Sequence, residues 1–311
     1  MLKRTLVISN PHHLSVKNKQ LVLDNKDTGE RKQSPIEDIG CLLLDQQGIT
    51  FTQAAISELT LNNVAVVFCD EKHLPASMLL PLESHHLPNQ RLRQQLDAGE
   101  PLRKQLWQQT IKAKLRNAAD MLDSIGKSGE PLRRWATRVK SGDTTNVEGV
   151  AARYYWRNLF GDEFKRDRYG EPPNNLLNYG YAILRANAAR SLVGSGLLPA
   201  LGIHHHNKYN AFCLADDIME PFRPFVDRIV WERAQQGVDM EITRNDKVAL
   251  LQALSVDVVL NEEKSPLSIA LNTVSANLAK CFEGTEKSLI YPSLRGRNDR
   301  SNPLMNEECF D

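Results

Sequence analysis

Hydrophobic and polar positions change rhythm near residue 80. Before that point, short apolar runs alternate and break as strands do. Residues 5–9, 14–17 and 20–24 predict short strands, with Asn18-Lys19 and Asp27-Thr28-Gly29 supplying turn chemistry. Residues 39–45 and 64–69 are apolar enough for buried strands, and residues 52–61 between them predict a short helix that Thr52 or Thr50 can cap. Two prolines and no periodicity across residues 81–88 predict an extended linker. Beyond it, residues 89–126 are rich in strong helix formers, and Leu106, Ile111, Leu115, Ala118 and Leu122 recur mostly every three or four positions. Further helices are predicted over residues 131–140, 146–159, 175–193, 214–235, 245–254 and 266–282. From residue 291 onward Arg, Asn, Asp and Ser predict a polar, mobile tail. The expected architecture is an α+β multidomain chain: a small β-rich domain over residues 1–80, a linker over 81–88, a larger all-α domain over 89–290 and the tail.

Composition narrows the class. With 41% hydrophobic and 25% charged residues, the 311-residue chain reads as an ordinary globular protein long enough for two domains. A net charge of +1 excludes a polybasic protein but not a local basic surface. That surface is expected in residues 85–140, where 12 Lys and Arg stand against 5 Asp and Glu. A solvated helix face explains such an excess as well as phosphate contact does. No stretch approaches the roughly 18 apolar residues of a membrane span. The short apolar run at the N-terminus ends at Asn10-Pro11 without a signal-peptide pattern. Cys41, Cys69, Cys213, Cys281 and Cys309 are scattered singly, which disfavours disulfides and zinc ribbons and predicts a reducing, cytoplasmic compartment.

Three islands in the helical half carry candidate chemistry. In the first, Glu148 precedes Gly149, Ala151 and Ala152, which leave room beside a carboxylate. Arg153, Arg157 and the aromatics Tyr154, Tyr155 and Trp156 follow, a mix that suits phosphates and bases. The bland alternative is a capping box, Thr145-x-x-Glu148. In the second, His204, His205 and His206 stand side by side after an apolar run. Adjacent side chains point apart, so one metal ligand with supporting neighbours is expected, or else a polar turn. In the third, Asp217 and Glu220 share a helix face, opposite the apolar stripe Leu214, Ile218, Phe222, Phe225 and Ile229. An acidic helix N-terminus with an early proline, Pro221, is the alternative there. Two carboxylates and one imidazole can hold a divalent ion with positions left for substrate oxygens, and hard oxygen ligands favour Mg²⁺ or Mn²⁺.

Together the islands resemble the CRISPR-associated integrase family, the endonuclease subunit of spacer acquisition. The matching text is Asn146-Val147-Glu148-Gly149, the segment 176–184 around Asn178-Tyr179-Gly180, the segment 196–205 ending in His204-His205, and the segment 214–224 with Asp217 and Glu220. The compact length and the wording of 214–224 are similar to the type II branch. The resemblance implies metal ligands and catalytic residues at Glu148, His205 and Glu220, with Asp217, Asn178 and Tyr179 as auxiliary residues. It implies Mg²⁺ or Mn²⁺, and transesterification in which the 3′-hydroxyl of a short double-stranded DNA fragment attacks a repeat phosphodiester. It also implies a homodimer through the β-rich domain and a small ferredoxin-like companion bridging two dimers. Lys112, Lys114, Arg116, Arg153 and Arg157 are the expected DNA-binding residues. Two rivals use the same features: a metal-dependent nuclease on branched DNA that does not integrate, and a non-catalytic helical nucleic-acid-binding module.

Overall fold

A computed structural model describes residues 4–71, 73–81 and 86–294. Residues 82–85 of the expected linker, residues 295–311 of the expected tail and Cys309 therefore lie outside the described residues.

The N-terminal region is built from eight strands and one helix. Strands β1 (Arg4–Ile8), β2 (His12–Lys17), β3 (Gln20–Asn25), β4 (Arg31–Pro35), β5 (Ile39–Leu44) and β6 (Thr50–Phe51) precede helix α1 (Gln53–Leu61). Strands β7 (Ala65–Cys69) and β8 (Pro75–Leu79) follow it. They form two four-stranded sheets, ordered β1-β5-β7-β8 and β4-β3-β2-β6. The Asn18-Lys19 turn joins β2 to β3 with both residues at positive φ, so Lys17 pairs with Gln20 across a two-residue loop. Thr52, not Thr50, caps α1 by accepting the Ala55 N–H.

Alternation along β5 and β7 divides the apolar side chains between two cores. Leu42, Leu44 and Val66 pack with Leu14, Leu21, Ile36 and Leu59 inside the β-rich region. Cys41, Leu43, Ala65, Val67 and Cys69 face the other way and join the core of the helical domain. The first sheet is thus a wall shared by both regions. Arg190 Nε donates to the Asn63 carbonyl at 2.5 Å, and Lys247 Nζ meets Asp45 Oδ2 at 2.6 Å, pinning the two together.

The helical domain contains α2 (Pro88–Asp97), α3 (Glu100–Ser124), α4 (Glu130–Arg138), α5 (Val147–Phe160) and α6 (Asn174–Gly194). After them come α7 (Cys213–Met219), a 3-10 turn (Glu220–Phe222), α8 (Arg223–Ala234), α9 (Arg244–Gln252) and α10 (Leu267–Glu283). Helix α6 is buried almost all round, as expected of a central helix. The stripe Leu106, Ile111, Leu115, Ala118 and Leu122 of α3 is buried as its spacing predicts.

The expectation of an all-α domain needs one correction. A hairpin of β9 (Asp257–Leu260) and β10 (Glu263–Pro266) sits between α9 and α10, turning at Asn261-Glu262, both at positive φ. The start of the expected tail is also part of the fold. Ser293 bridges Val259, the Tyr291 hydroxyl lies 2.9 Å from Thr110 Oγ1, and Asn117 Nδ2 donates to the Pro292 carbonyl at 3.0 Å.

Candidate active site

Glu148 opens α5, but it does not cap it. Asn146, in the left-handed region, accepts the Gly149 N–H at 3.1 Å. The Asp143 carboxylate accepts the N–H groups of Val147 at 3.0 Å and Glu148 at 2.9 Å. With three of the orphan donors of the first turn satisfied by these two residues, the Thr145-x-x-Glu148 box does not form. Position 149 has little room for a side chain, since a Cβ there would stand 2.8 Å from Asn146 Oδ1. The Glu148 carboxylate is left to turn inward, where Oε1 meets Lys114 Nζ of α3 at 2.5 Å.

Glu220 reaches the same ammonium from the 3-10 turn after α7. Its Oε2 lies 2.7 Å from Lys114 Nζ, and its Oε1 lies 2.9 Å from an Arg223 guanidinium nitrogen. Asp217 at 0% and Glu220 at 4% exposure are buried, so they face the protein interior along with the apolar stripe. Pro221 tightens the chain into the 3-10 turn that aims Glu220. Burial alone would raise the Glu220 carboxyl, but Arg223 and Lys114 outweigh it and hold it below its ordinary value. Burial would likewise lower Lys114, yet the charges of Glu220 and Glu148 hold it above its ordinary value. Glu220 Oε2 is buried, and contact with the Lys114 ammonium is what offsets its charge.

The three histidines are sorted by their neighbours. Asp217 Oδ1 lies 2.5 Å from His205 Nδ1, and Asp217 Oδ2 accepts the His204 backbone N–H at 2.9 Å. This carboxylate fixes the imidazole, leaves Nε2 free and raises His205 above its ordinary value through the hydrogen bond. The charges of Asp217, Glu220 and Glu148 raise it further. The His204 ring instead stacks on Trp107, 4.1 Å between centroids and 2° between planes, and burial lowers its value. Trp107 also meets the His205 ring edge-on at 5.6 Å. His206 lines a separate groove with Gln95, Arg103 and Lys208. Gly202 makes the turn possible, because a Cβ there would lie 2.3 Å from the His205 carbonyl and 2.8 Å from Asp217 Oδ2.

The remaining expected residues are dispersed. Asn178 braces a neighbouring loop, accepting from Arg166 at 2.8 Å and donating to the Arg168 carbonyl at 2.8 Å. Tyr179 is fully buried toward the shared sheet, where Cys69, Asp45 and Cys41 influence it. Lys112 and Arg116 line a groove of about 600 Å³ with residues 289–293. Arg153 and Arg157 are exposed on α5, with Arg157 paired to Asp162. Lys114, expected on the same phosphate-facing surface, stands between the carboxylates instead. Sequence reasoning missed Asp143 and Trp107 as supports of the site. The signal for Asp143 was an acidic residue five positions before Glu148; nothing in the sequence pairs Trp107 with His204.

A cavity of about 220 Å³ opens beside Lys114 and Glu148, bordered by Ala151, Ala152, Trp156 and Arg166. In its wall, buried Asp227 accepts the Tyr155 hydroxyl at 2.8 Å and also the Tyr181 hydroxyl. Burial pushes Asp227 up to about 6. Arg166 and Arg223 both lie over the Tyr181 ring, 5.3 and 4.8 Å from its centroid.

Among the described residues, no three His, Cys, Asp or Glu side chains are grouped closely enough to hold an ion in this conformation. Glu148 and Glu220 nevertheless converge on a single positive charge. A buried carboxylate oxygen whose one partner is an ammonium, a second carboxylate and an imidazole anchored through Nδ1 are a donor set that fits Mg²⁺ or Mn²⁺.

Comparison with known proteins agrees with this architecture. A family model described as CRISPR associated protein Cas1 matches residues 6–263. The chain belongs to the Cas1 family. It is 36% identical over 298 residues to a CRISPR-associated endonuclease Cas1 of Neisseria meningitidis serogroup C (strain 8013), covering 94% of this chain and 97% of the relative. A second relative, from Francisella tularensis subsp. novicida (strain U112), is 27% identical over 259 residues, covering 76% and 80%. Among solved structures, a casposase bound to integration product shares the fold at a TM-score of 0.74 and 22% identity, covering 93% and 92% of the two chains. A Cas1 protein from Thermotoga maritima does so at 0.73 and 17%, covering 90% and 97%. Among the described residues no helix is long and apolar enough to cross a membrane.

Proposed function

We propose that the chain is a metal-dependent DNA integrase and endonuclease of CRISPR adaptation, with Glu148, His205 and Glu220 as ligands for Mg²⁺ or Mn²⁺. The observation that carries this reading is the convergence of Glu148 and Glu220 on one cation position, together with an imidazole whose Nδ1 is anchored by Asp217. Its reaction is the joining of the 3′-hydroxyl of a short double-stranded DNA fragment to a phosphodiester of repeat DNA. A bound divalent ion would supply Lewis-acid polarisation of the phosphoryl oxygen and a lower pKa for the attacking hydroxyl.

The residues of this chain account for the rest. Asp217 holds the proton on His205 Nδ1, so the Nε2 lone pair is left for a metal ion. Trp107 keeps the neighbouring His204 ring out of that position by stacking on it. Arg223 retains Glu220 in its ionised form and Asp143 secures the start of α5, which fixes Glu148. No side-chain nucleophile is required, in keeping with buried Cys41 and Cys69, whose thiols burial pushes up to about 12. Lys112, Arg116, Arg153 and Arg157 supply backbone contacts that carry no base information directly.

Integration at two strands calls for two sites a fixed distance apart, which a homodimer provides. We assign dimerisation to the β-rich region, with a small ferredoxin-like companion bridging two dimers and the type II branch as the source of the system. One structure of similar fold is described as a Cas6-RT-Cas1--Cas2 complex (TM-score 0.71, 20% identity, 92% of this chain and 36% of that one), in keeping with a protein companion. The test is Glu148→Ala assayed with DNA fragments, a repeat-bearing plasmid, the companion and Mn²⁺. Strand transfer should vanish while DNA affinity is kept or rises, because a negative charge leaves the phosphate site. Full activity in this variant would reject the site, and cutting without joining by the native chain would favour a nuclease of branched DNA.

A further inference from the structure

Lys114 is one residue of the charged cluster that the reaction does not use. It projects from the 25-residue helix α3, next to buried Leu115, and its side chain is 19% exposed. Its ammonium is shared by Glu148 at 2.5 Å and Glu220 at 2.7 Å. Two carboxylates brought this close, one of them buried, repel each other unless a cation stands between them. Arg223 takes only the other oxygen of Glu220, leaving Oε2 to the lysine.

We propose that the Lys114 ammonium is a resident counter-cation that holds Glu148 and Glu220 in place and yields that position to an incoming divalent ion, withdrawing into the adjacent cavity. The inference rests on the metal-site reading above. Three observations support it. The ammonium occupies the one point that both carboxylates share. The neighbouring cavity of about 220 Å³ is lined by Lys114 itself and kept open by the small residues Ala151 and Ala152. Finally, lysine is a compact charge on a flexible stem, whereas a guanidinium would clamp the pair through several donors. The stem can lie against Trp156 and Leu115 in the cavity while the charge moves out of the site.

The exchange makes the carboxylates available only part of the time, which weakens the apparent metal affinity by that fraction. The test measures Mn²⁺ binding to the full chain without DNA, by electron paramagnetic resonance of the free ion. If the native pair is open about one tenth of the time, Lys114→Met should bind Mn²⁺ about tenfold more tightly. A folded Lys114→Met protein with unchanged or weaker binding overturns the proposal. A second readout needs no variant: acetylation of Lys114 by an amine-reactive ester, followed by mass spectrometry. Labelling should rise several-fold at saturating Mn²⁺, and unchanged or reduced labelling overturns the proposal. Glu148→Gln and His205→Ala, each keeping Lys114, separate the two claims. Should Mn²⁺ binding survive both, the metal-site reading fails and this inference with it. Should binding depend on them yet ignore Lys114→Met, the lysine inference alone fails.

Discussion

Asp227 shows how strongly a single buried carboxyl can link this fold to pH. It is fully enclosed, accepts two tyrosine hydroxyls, and stands at about 6 against a usual 3.8. The folded chain therefore binds this proton more tightly than the unfolded chain does. A raised acid destabilises the fold as pH climbs through that window, and the cost fades as pH falls toward the unfolded value. Asp227→Asn removes the titration. Relative to the native chain, the variant should gain stability as pH rises from about 4 to about 6, by up to roughly 3 kcal/mol, and keep that gain above it. Urea melts of both proteins across this range measure it; parallel pH profiles would contradict the account. At this scale the sequence was legible in residue identity more than in geometry. The text around Glu148 fits both a cap and a metal ligand, and only Asp143 and Asn146, by taking the cap, separate the two. The three histidines are likewise equivalent as text, and become distinct through Asp217 and Trp107, which arrive from other helices. Lys114 looked like its neighbours Lys112 and Arg116 because nothing local reveals that its turn of α3 faces two distant carboxylates.

Elements followed periodicity where the period was long. Helix α3 was readable from its apolar stripe, and α1 from its threonine cap. The hairpin β9–β10 was not, because two four-residue strands between helices carry too little alternation to stand out. Its turn residue Asn261 was the available signal. Helix α3 also divides the basic segment by function. Lys112 and Arg116 face the open groove, while Lys114 faces inward. Lys112→Ala with Arg116→Ala should therefore weaken DNA binding about equally for different sequences and reduce the salt slope by about one to two. Titrations at several salt concentrations check this. An unchanged slope would mean the groove is a solvated face, with the DNA path running instead past Arg153, Arg157 and residues 204–208.

For the whole molecule, the change of texture near residue 80 marked the passage from strands to helices, but not the shared wall between them. Both faces of β5 are buried, so its continuous apolar run could not say which face served which core. Deleting residues 1–81 would strip Leu43, Ala65 and Val67 from the helical core, so surface substitution is the cleaner test of dimerisation. Phe51 and Leu61 are exposed at 43% and 79% in the β-rich region and are candidates for contact with a second copy. Light scattering should give twice the chain mass for the native protein and the single mass for Phe51→Asp with Leu61→Asp; a persistent dimer would move the interface elsewhere.

The central claim is that the carboxylate and histidine site joins DNA ends through their 3′-hydroxyls. One comparison tests it most directly: strand transfer into a repeat-bearing plasmid, with companion and Mn²⁺, using fragments that end in a 3′-hydroxyl or in a 3′-deoxy sugar. Joined product should form only from the hydroxyl-ended fragment, and only while Glu148, His205 and Glu220 are intact. Equal joining of both fragments, or undiminished joining without any one of these three side chains, would contradict the account.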